Sequence, residues 1–386
     1  MSTALLSIMA FCHTVSVGSF GPLLPEIAKA QRLADWEIGI LSGAFGVART
    51  LLDIPAGRLA SRRLRVTLVG GPLLLLAGVP LLGSAGPLEV LVLGRFLIGA
   101  GHALGLVGAL TALLQRPEGA AFRLNIFDFA AVLGLLAGVT LVGLLPAAWS
   151  WNRSLLVACS PQLLVLALLP VFWRRFRPDE ERASASASGA RDGTEAATSW
   201  PPIARGMVAL GTVIAFAWSS ASQFLMPLRG TREFGLSRAA NSRLLAIPHA
   251  VDLGVLLPVG WLADRLGRLP VLGGVCVALG VGTMFVGLGS FPLFVLGSGL
   301  FGLGLAGWML PMGVIRERTT AGGLGRRTGL YRVGVDAGIF LGPLVSGFLG
   351  DTGAPYLIAV VGLGTFLTGA TLLIRPGNPV MQGRQR

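Results

Sequence analysis

Long apolar runs recur from one end of this 386-residue chain to the other, and they decide what it can fold into. Each run has about 20 residues, enough for a helix rising 1.5 Å per residue to cross the roughly 30 Å hydrocarbon core of a bilayer. Hydrophobic residues make up 53% of the chain and charged residues 13%, so the bilayer is its solvent. Because lipid offers the backbone no hydrogen-bond partners and period-2 alternation is nearly absent, the runs are predicted to be helices rather than barrel strands.

Glycines, prolines and clusters of charge divide the runs into twelve predicted spans. In chain order these are residues 4–25, 37–57, 66–85, 88–114, 124–146, 152–173, 204–227, 238–260, 270–289, 291–314, 328–350 and 354–374. The stretch between spans 6 and 7 is rich in arginine, then in acids, then in Ser, Ala and Gly, which cannot build a core. The predicted domains are an N-terminal six-helix bundle (1–173), a cytoplasmic linker (174–203), a C-terminal six-helix bundle (204–374) and a cytoplasmic tail (375–386).

The placement of basic residues orients these spans. Most of the 31 lysines and arginines fall in the loops on the linker's side of the predicted bundles. The positive-inside rule therefore predicts cytoplasmic termini, in a multi-pass protein of the bacterial inner membrane. The loop between spans 7 and 8 is the exception, since four arginines lie in or near it: Arg229, Arg232, Arg238 and Arg243. The net charge of +13 forms no single face or tail, so nucleic-acid binding is not predicted.

One short motif occurs at equivalent places in the two halves. Residues 260–268 read GWLADRLGR after span 8, and residues 57–65 read GRLASRRLR after span 2, with Ser61 where Asp264 stands. Gapless matches continue elsewhere, for instance between Asp128 of span 5 and Asp336 of span 11. Six spans followed by six in the same orientation are typical of a parallel repeat about an axis along the membrane normal.

The chain resembles the major facilitator superfamily. It shares with that family twelve spans, a central linker and a Gly-x-x-x-Asp-Arg-x-Gly-Arg motif, which here follows span 8. The resemblance implies an all-α membrane protein with twelve transmembrane helices in two pseudo-symmetric six-helix bundles. The arginine and glycines of residues 95–101 (RFLIGAG) are similar to a pattern of proton-coupled drug and metabolite antiporters. Residues 338–343 (GIFLGP) are similar to a glycine-proline motif that antiporters carry in span 5, whereas here it lies in span 11.

The motif segments are predicted to form a conformational latch between the halves. Asp264 can stabilise a neighbouring helix N-terminus, and Arg265 and Arg268 can hold a carboxylate such as Asp128. The predicted latch residues are Gly57, Ser61, Arg62, Asp128, Gly260, Asp264, Arg265, Gly267, Arg268, Asp336, Gly342 and Pro343.

Charged side chains inside spans are costly, by about 2.5 to 3.5 kcal/mol on translocon scales, so each is a functional candidate. Arg95 and His102 lie seven residues apart on one face of span 4 and can bind an anionic group or couple to protons. The alternative is that Arg95 bonds carbonyl groups of an adjacent helix and His102 packs in the core. Arg49 is predicted to pair with Asp53 within span 2. Asp252 has only His249 nearby and is the leading candidate for a proton carrier.

The family fold places spans 1, 4, 7 and 10 around a central cavity. The polar and aromatic residues of these spans that are predicted to contact substrate are His13, Thr14, Trp218, Gln223 and Trp308. The tryptophans can stack on an organic substrate, or they can be packing residues.

The chain has no phosphate-loop motif, no metal-ligand spacing and no nucleophile elbow. We therefore expect neither an enzyme nor a cofactor or metal, with a proton gradient as the energy source. The predicted function is proton-coupled efflux of a small organic molecule or drug by a secondary active transporter. Two alternatives remain: transport of an organic anion or carboxylate, and a transporter-like sensor that moves nothing. The predicted partners are the substrate and the lipid bilayer, and the chain is expected to be a monomer.

Overall fold

The computed structural model describes residues 2–114, 120–176, 201–318 and 321–374. Every regular element within these ranges is a helix, and eleven continuous helical segments are long and apolar enough to cross a membrane. The last segment, Ala321–Ile374, is interrupted at Gly350, whose φ of 65° and ψ of −171° suit only glycine. This break divides it into spans 11 and 12, so the all-α class with twelve spans is confirmed. Most of the predicted linker and the whole predicted tail lie outside the described residues.

The first six spans fill the N-terminal half. Span 1 is built of Ser2–Gly18 and Phe20–Gln31, and span 6 of Trp151–Ala158 and Gln162–Arg175. Between them lie Asp35–Arg62 (span 2), Leu64–Leu82 (span 3), Leu88–Leu114 (span 4) and Ala120–Leu144 (span 5).

The C-terminal half repeats this order. Span 7 consists of Pro202–Ser220, a π-helical turn at Ala221–Leu225 and Met226–Arg232. Spans 8 and 9 are Arg238–Leu266 and Arg268–Leu288, and span 10 is Phe291–Leu305 followed by Leu310–Glu317.

The two motif segments are more helical than the sequence predicts. The sequence indicates polar loops after spans 2 and 8, but helix Asp35–Arg62 runs through the first motif and helix Arg238–Leu266 through most of the second. The chain leaves the second helix only at Gly267, where φ is 89°. A helix of 28 residues is about 42 Å long, so its end extends beyond the hydrocarbon core and its polar residues reach water without breaking the helix.

The two halves pack against each other chiefly through span 2 with span 11 and span 5 with span 8. Spans 2 and 11 cross closely at glycines: a Cβ atom on Gly46 would lie 2.4 Å from the Phe340 nitrogen, and one on Gly39 would lie 2.7 Å from the Pro343 oxygen. We call the end of the bundle that carries Gly57 and Gly260 the motif end, and the opposite end the distal end. A Cβ atom on either of those two glycines would meet no atom within 4 Å. The halves thus meet at close glycine crossings on spans 2 and 11, and neither Gly57 nor Gly260 takes part in such a crossing.

The glycine crossing gives a first prediction. Gly46→Leu should force spans 2 and 11 apart and open the distal seam, because overpacking costs about 1 to 3 kcal/mol, equivalent to about 5- to 150-fold in a conformational equilibrium. The measurement is the rate of maleimide labelling of a cysteine placed at Ser242 of span 8, which packs on Gly143 of span 5 in the other contact between the halves. Gly364→Leu is the matched control, because a Cβ atom there meets nothing within 4 Å. Equal labelling of the two variants would contradict the prediction.

Candidate functional site

Arg95 lies about two turns from the distal end of span 4 and is completely buried. Its Nη2 donates a hydrogen bond to Oε1 of Gln223 at 3.0 Å. Its guanidinium carbon lies 3.8 Å from the ring centroid of Phe20 and 5.0 Å from that of Phe45. The Nε and Nη1 atoms have no hydrogen-bond acceptor. The expected alternative, in which backbone carbonyls of a neighbouring helix satisfy Arg95, is therefore wrong.

Gln223, which bonds Arg95 from the other half, lies in the π-helical turn Ala221–Leu225 of span 7. Such wide turns inside α-helices are frequent at functional sites. Gln223 and the neighbouring Ser222 are buried and line a narrow crevice together with His249 of span 8. The Ser222 hydroxyl and Nδ1 of His249 have no hydrogen-bond partner. Gln223 therefore lies between Arg95 and this crevice.

Asp252 occupies the midpoint of helix Arg238–Leu266, about 21 Å from either end. It is only 8% exposed, and its Oδ1 atom has no hydrogen-bond partner. Besides His249 on its own helix, Asp252 interacts electrostatically with Asp128 of span 5. Asp128 therefore lies near Asp252 at the seam between the halves. Among the described residues, no hydrogen bond or ion pair joins Asp128 to Arg265 or Arg268, so the predicted latch contact is not formed.

Arg49 and Asp53 do not form the predicted pair within span 2. Arg49 Nε lies 2.7 Å from Oδ1 of Asp336, and Asp53 Oδ2 lies 3.0 Å from Nε of Arg332. Both partners belong to span 11. Its Asp336 faces the arginine of span 2, and its Arg332 faces the aspartate of span 2. We call Arg49, Asp53, Arg332 and Asp336 the cross-half cluster. Asp336 is thus placed in this cluster, with Arg49 as its partner.

His102 belongs beside this cluster. Its Nδ1 lies 3.1 Å from Nη1 of Arg49, and its ring packs edge-on against Phe45 at 5.4 Å. The ring of His13 is 6.4 Å away, and the Nε2 atom of His13 has no partner. Thr14 instead uses its hydroxyl within its own helix, donating to the Ala10 carbonyl at 2.9 Å.

The two predicted tryptophans contact each other. Trp218 of span 7 and Trp308 of span 10 pack edge to face with their ring centroids 6.0 Å apart. Both are half-buried, and the adjacent Met309 is 56% exposed. They therefore form a half-buried aromatic surface near the middle of the C-terminal half.

Comparison with known proteins decides the family. The sequence profile of the Major Facilitator Superfamily matches residues 6–251 and again 207–386, which together span nearly the whole chain. The chain belongs to the Major Facilitator Superfamily. No curated protein matches the sequence.

Solved structures agree on the fold. The nucleoside transporter NupG is 12% identical, with a TM-score of 0.74 over 96% of this chain and 100% of that one. A POT peptide transporter is 16% identical, with a TM-score of 0.72 over 96% and 93% of the two chains. A POT family transporter in complex with 5-aminolevulinic acid is 13% identical, with a TM-score of 0.74 over 96% and 95%. At such identities the likeness establishes the fold of this superfamily member alone.

The superfamily motif after span 8 makes its contacts within the C-terminal half. Arg268 Nη1 donates to the Gly313 carbonyl at 2.6 Å, and its Nε lies 3.2 Å from Glu317. Arg265 stacks over Trp261 at 4.1 Å, and Asp264 is exposed. In the first half, Ser61 bonds only the Arg58 carbonyl of its own helix. These contacts of Ser61, Arg265 and Arg268 therefore stay within one half. Other predicted latch residues lie elsewhere: Gly342 packs on Ser219, Pro343 lies at the crossing with Gly39, and Arg62 is exposed.

The latch gives a second prediction. Asp264→Asn should slow transport by about 2- to 30-fold, since a charge near a helix terminus contributes about 0.3 to 2 kcal/mol to whichever conformation closes the motif end. Ser61→Ala removes no charge and should have a smaller effect. Initial transport rates at matched surface expression test this. Equal rates for the two variants would remove the basis for a stronger latch in the second half.

Two of the arginines near loop 7–8, which the positive-inside rule left unexplained, join the halves at the distal end. Arg238 Nε bonds Oε1 of Glu26 at 2.6 Å, and its Nη1 reaches the Ser154 hydroxyl at 2.8 Å. Arg232 Nη1 lies 2.7 Å from Asp35 and 2.6 Å from Asp351. We call Glu26, Asp35, Arg232, Arg238 and Asp351 the distal clasp. The distal clasp joins the two halves of the transporter fold. The excess of arginine in and near loop 7–8 is the sequence signal from which these contacts could have been predicted.

Proposed function

We propose that the protein is a secondary active transporter that moves a small organic molecule by alternating access, coupled to protons. The observation that carries this proposal is Asp252: a nearly buried carboxyl group halfway along span 8, with an oxygen that lacks a hydrogen-bond partner. A charge in such a place is costly, and a proton removes that cost, so the group is suited to binding and releasing protons during a cycle. A proton gradient then supplies the energy.

The contacts between the halves support alternating access. Rocking of one half against the other requires interfaces that can form and break as units. The distal clasp and the glycine crossing of spans 2 and 11 join the halves, whereas Ser61, Arg265 and Arg268 of the motif segments make their contacts in their own half. A conformation with the opposite arrangement would break the clasp and bring the two motif segments into contact with the facing half.

The charge distribution supports an orientation. With the arginine-rich motif end in the cytoplasm of a bacterial cell, the distal clasp lies on the outer side of the membrane. A substrate would enter from the cytoplasm, and inward movement of protons would drive its export. Efflux is therefore the direction we propose.

Transport of an organic anion is the second candidate, and a specific observation favours it. Arg95 is fully buried in the distal half of span 4, and two of its nitrogens lack acceptors. A carboxylate can accept from both, in the bidentate geometry that arginine favours.

The test uses purified protein in liposomes that enclose a pH-sensitive dye. Organic cations, neutral drugs and carboxylates are added separately, with protein-free liposomes as the control. Proton movement that follows a cation or a neutral compound supports proton-coupled export. Movement that follows carboxylates alone supports the anion candidate. Saturable binding with no flux of either species would overturn both and favour a sensor.

A further inference from the structure

Two buried charges near the seam between the halves have no partner of opposite sign. No ion pair among the described residues involves Arg95 or Asp252, and Nε and Nη1 of Arg95 and Oδ1 of Asp252 have no hydrogen-bond partner. Other buried charges between the halves are compensated: Arg49 by Asp336, and Arg238 by Glu26. Arg49 and Arg238 thus belong to structural ion pairs, whereas Arg95 and Asp252 have no partner of opposite charge within the part of the chain that the structure describes.

An uncompensated buried charge costs free energy unless something pairs with it. An anionic ligand would satisfy Arg95 and leave Asp252 unpaired. A cationic ligand would do the reverse, and a neutral ligand would satisfy neither. A ligand that carries both charges is the class that compensates the two sites together.

Polar groups without partners connect the two sites. Arg95 bonds Gln223, and Gln223 lines one crevice with Ser222 and His249. His249 and Asp252 lie one turn apart on the same face of span 8. The Ser222 hydroxyl and the His249 Nδ1 atom also lack partners, and both residues line the crevice next to a neighbour of each charge, so they can bond the middle of an extended ligand. The crevice has a volume of about 10 Å³ here, which is room for about one water molecule, so the halves must part to admit the ligand.

We propose that the substrate is a small zwitterion, whose carboxylate or similar anionic group binds Arg95 and Gln223 and whose ammonium group binds Asp252. Phe20 and Phe45 flank the guanidinium and keep water from it, which strengthens the pairing with the anion. This inference rests on the proposed function and names the substrate class of the same site.

The test is a binding measurement on the full-length protein in detergent, by thermal shift and by tryptophan fluorescence. The probes are a ladder of linear aminocarboxylates in which each member has one methylene more than the last. Each is compared with its methyl ester, which lacks the negative charge, and its N-acetyl derivative, which lacks the positive charge. We expect one length to bind best, and both derivatives of that member to bind about tenfold or more weakly, because each leaves a buried charge unsatisfied.

Two variants assign each charge to its residue. In Arg95→Gln the ester should bind as well as the parent compound, while the N-acetyl derivative stays weak. In Asp252→Asn the N-acetyl derivative should recover, while the ester stays weak. Arg243→Gln and Glu89→Gln are the matched controls, since both side chains are exposed, and both should keep the wild-type pattern. A misfolded variant would lose all binding rather than one charge preference.

Binding of esters or of N-acetyl derivatives as tightly as the parent compound, or the absence of binding throughout the ladder, would overturn the zwitterion assignment. Flux of protons with a cation or neutral drug in the liposome assay would still support the proposed function in that case. If zwitterions bind with the expected pattern but no flux of either species occurs, the proposed function fails and the ligand assignment stands.

Discussion

Asp252→Asn is expected to reduce substrate-driven proton movement in liposomes to the level of protein-free vesicles. Asparagine keeps the size and the hydrogen-bonding capacity of the side chain but cannot take up or release a proton. Because Asp252 is buried among groups that do not compensate its charge, no neighbouring cation is left unpaired by the change. The fold should therefore tolerate it, and thermal stability should remain within about 1 kcal/mol of the parent protein or increase slightly.

Substrate exchange separates a loss of coupling from a loss of transport. Counterflow of labelled against unlabelled substrate needs the halves to rock but needs no net proton movement. Asp252→Asn should therefore keep a measurable exchange rate at a substrate concentration high enough to offset the lost contact with the ammonium group. Glu89→Gln is the control, as Glu89 is an exposed acid in the first turn of span 4. Undiminished proton movement in Asp252→Asn would remove Asp252 as the proton carrier and direct attention to Asp128.

The number of spans could be predicted from the sequence because the thickness of the bilayer limits the length of each apolar run. The predicted range of span 4, 88–114, agrees with the helix Leu88–Leu114. The ends of spans 2 and 8 could not be placed, because polar residues can continue a helix into water as readily as they can end it. The π-helical turn of span 7 had no visible signal, since the residues Ala221–Leu225 are ordinary for a span.

Individual charges of the site could also be predicted, since any charge inside a span is costly. Their partners could not. Arg49 and Asp336 are 287 positions apart, and nothing in the sequence of span 2 indicates which face of span 11 it meets. The nearest acid in sequence, Asp53, is bound instead by Arg332, so spacing along one helix was misleading where two helices share their charges.

Asp336→Asn is expected to shift the protein strongly away from the conformation described here. The Asp336 side chain is 1% exposed and that of Arg49 is 12% exposed, and removing one partner of such a buried pair costs about 3 to 5 kcal/mol. The pair joins span 2 to span 11. Its loss therefore destabilises the conformation described here, in which these two spans are in contact. The equilibrium should move by about 150- to 5,000-fold. Labelling of a cysteine at Ser242 should accelerate accordingly.

The double variant Arg49→Gln/Asp336→Asn distinguishes the ion pair from a general loss of packing. Replacing both members of a buried pair leaves no uncompensated charge, so the double variant should label far more slowly than Asp336→Asn alone. The control pair is Arg268 with Glu317, whose side chains are 31% and 44% exposed. Glu317→Gln should change the equilibrium by no more than about 1 kcal/mol, because water screens an exposed pair. If the effects of Arg49→Gln and Asp336→Asn simply add in the double variant, the two residues act independently, and the cross-half cluster does not hold the halves together.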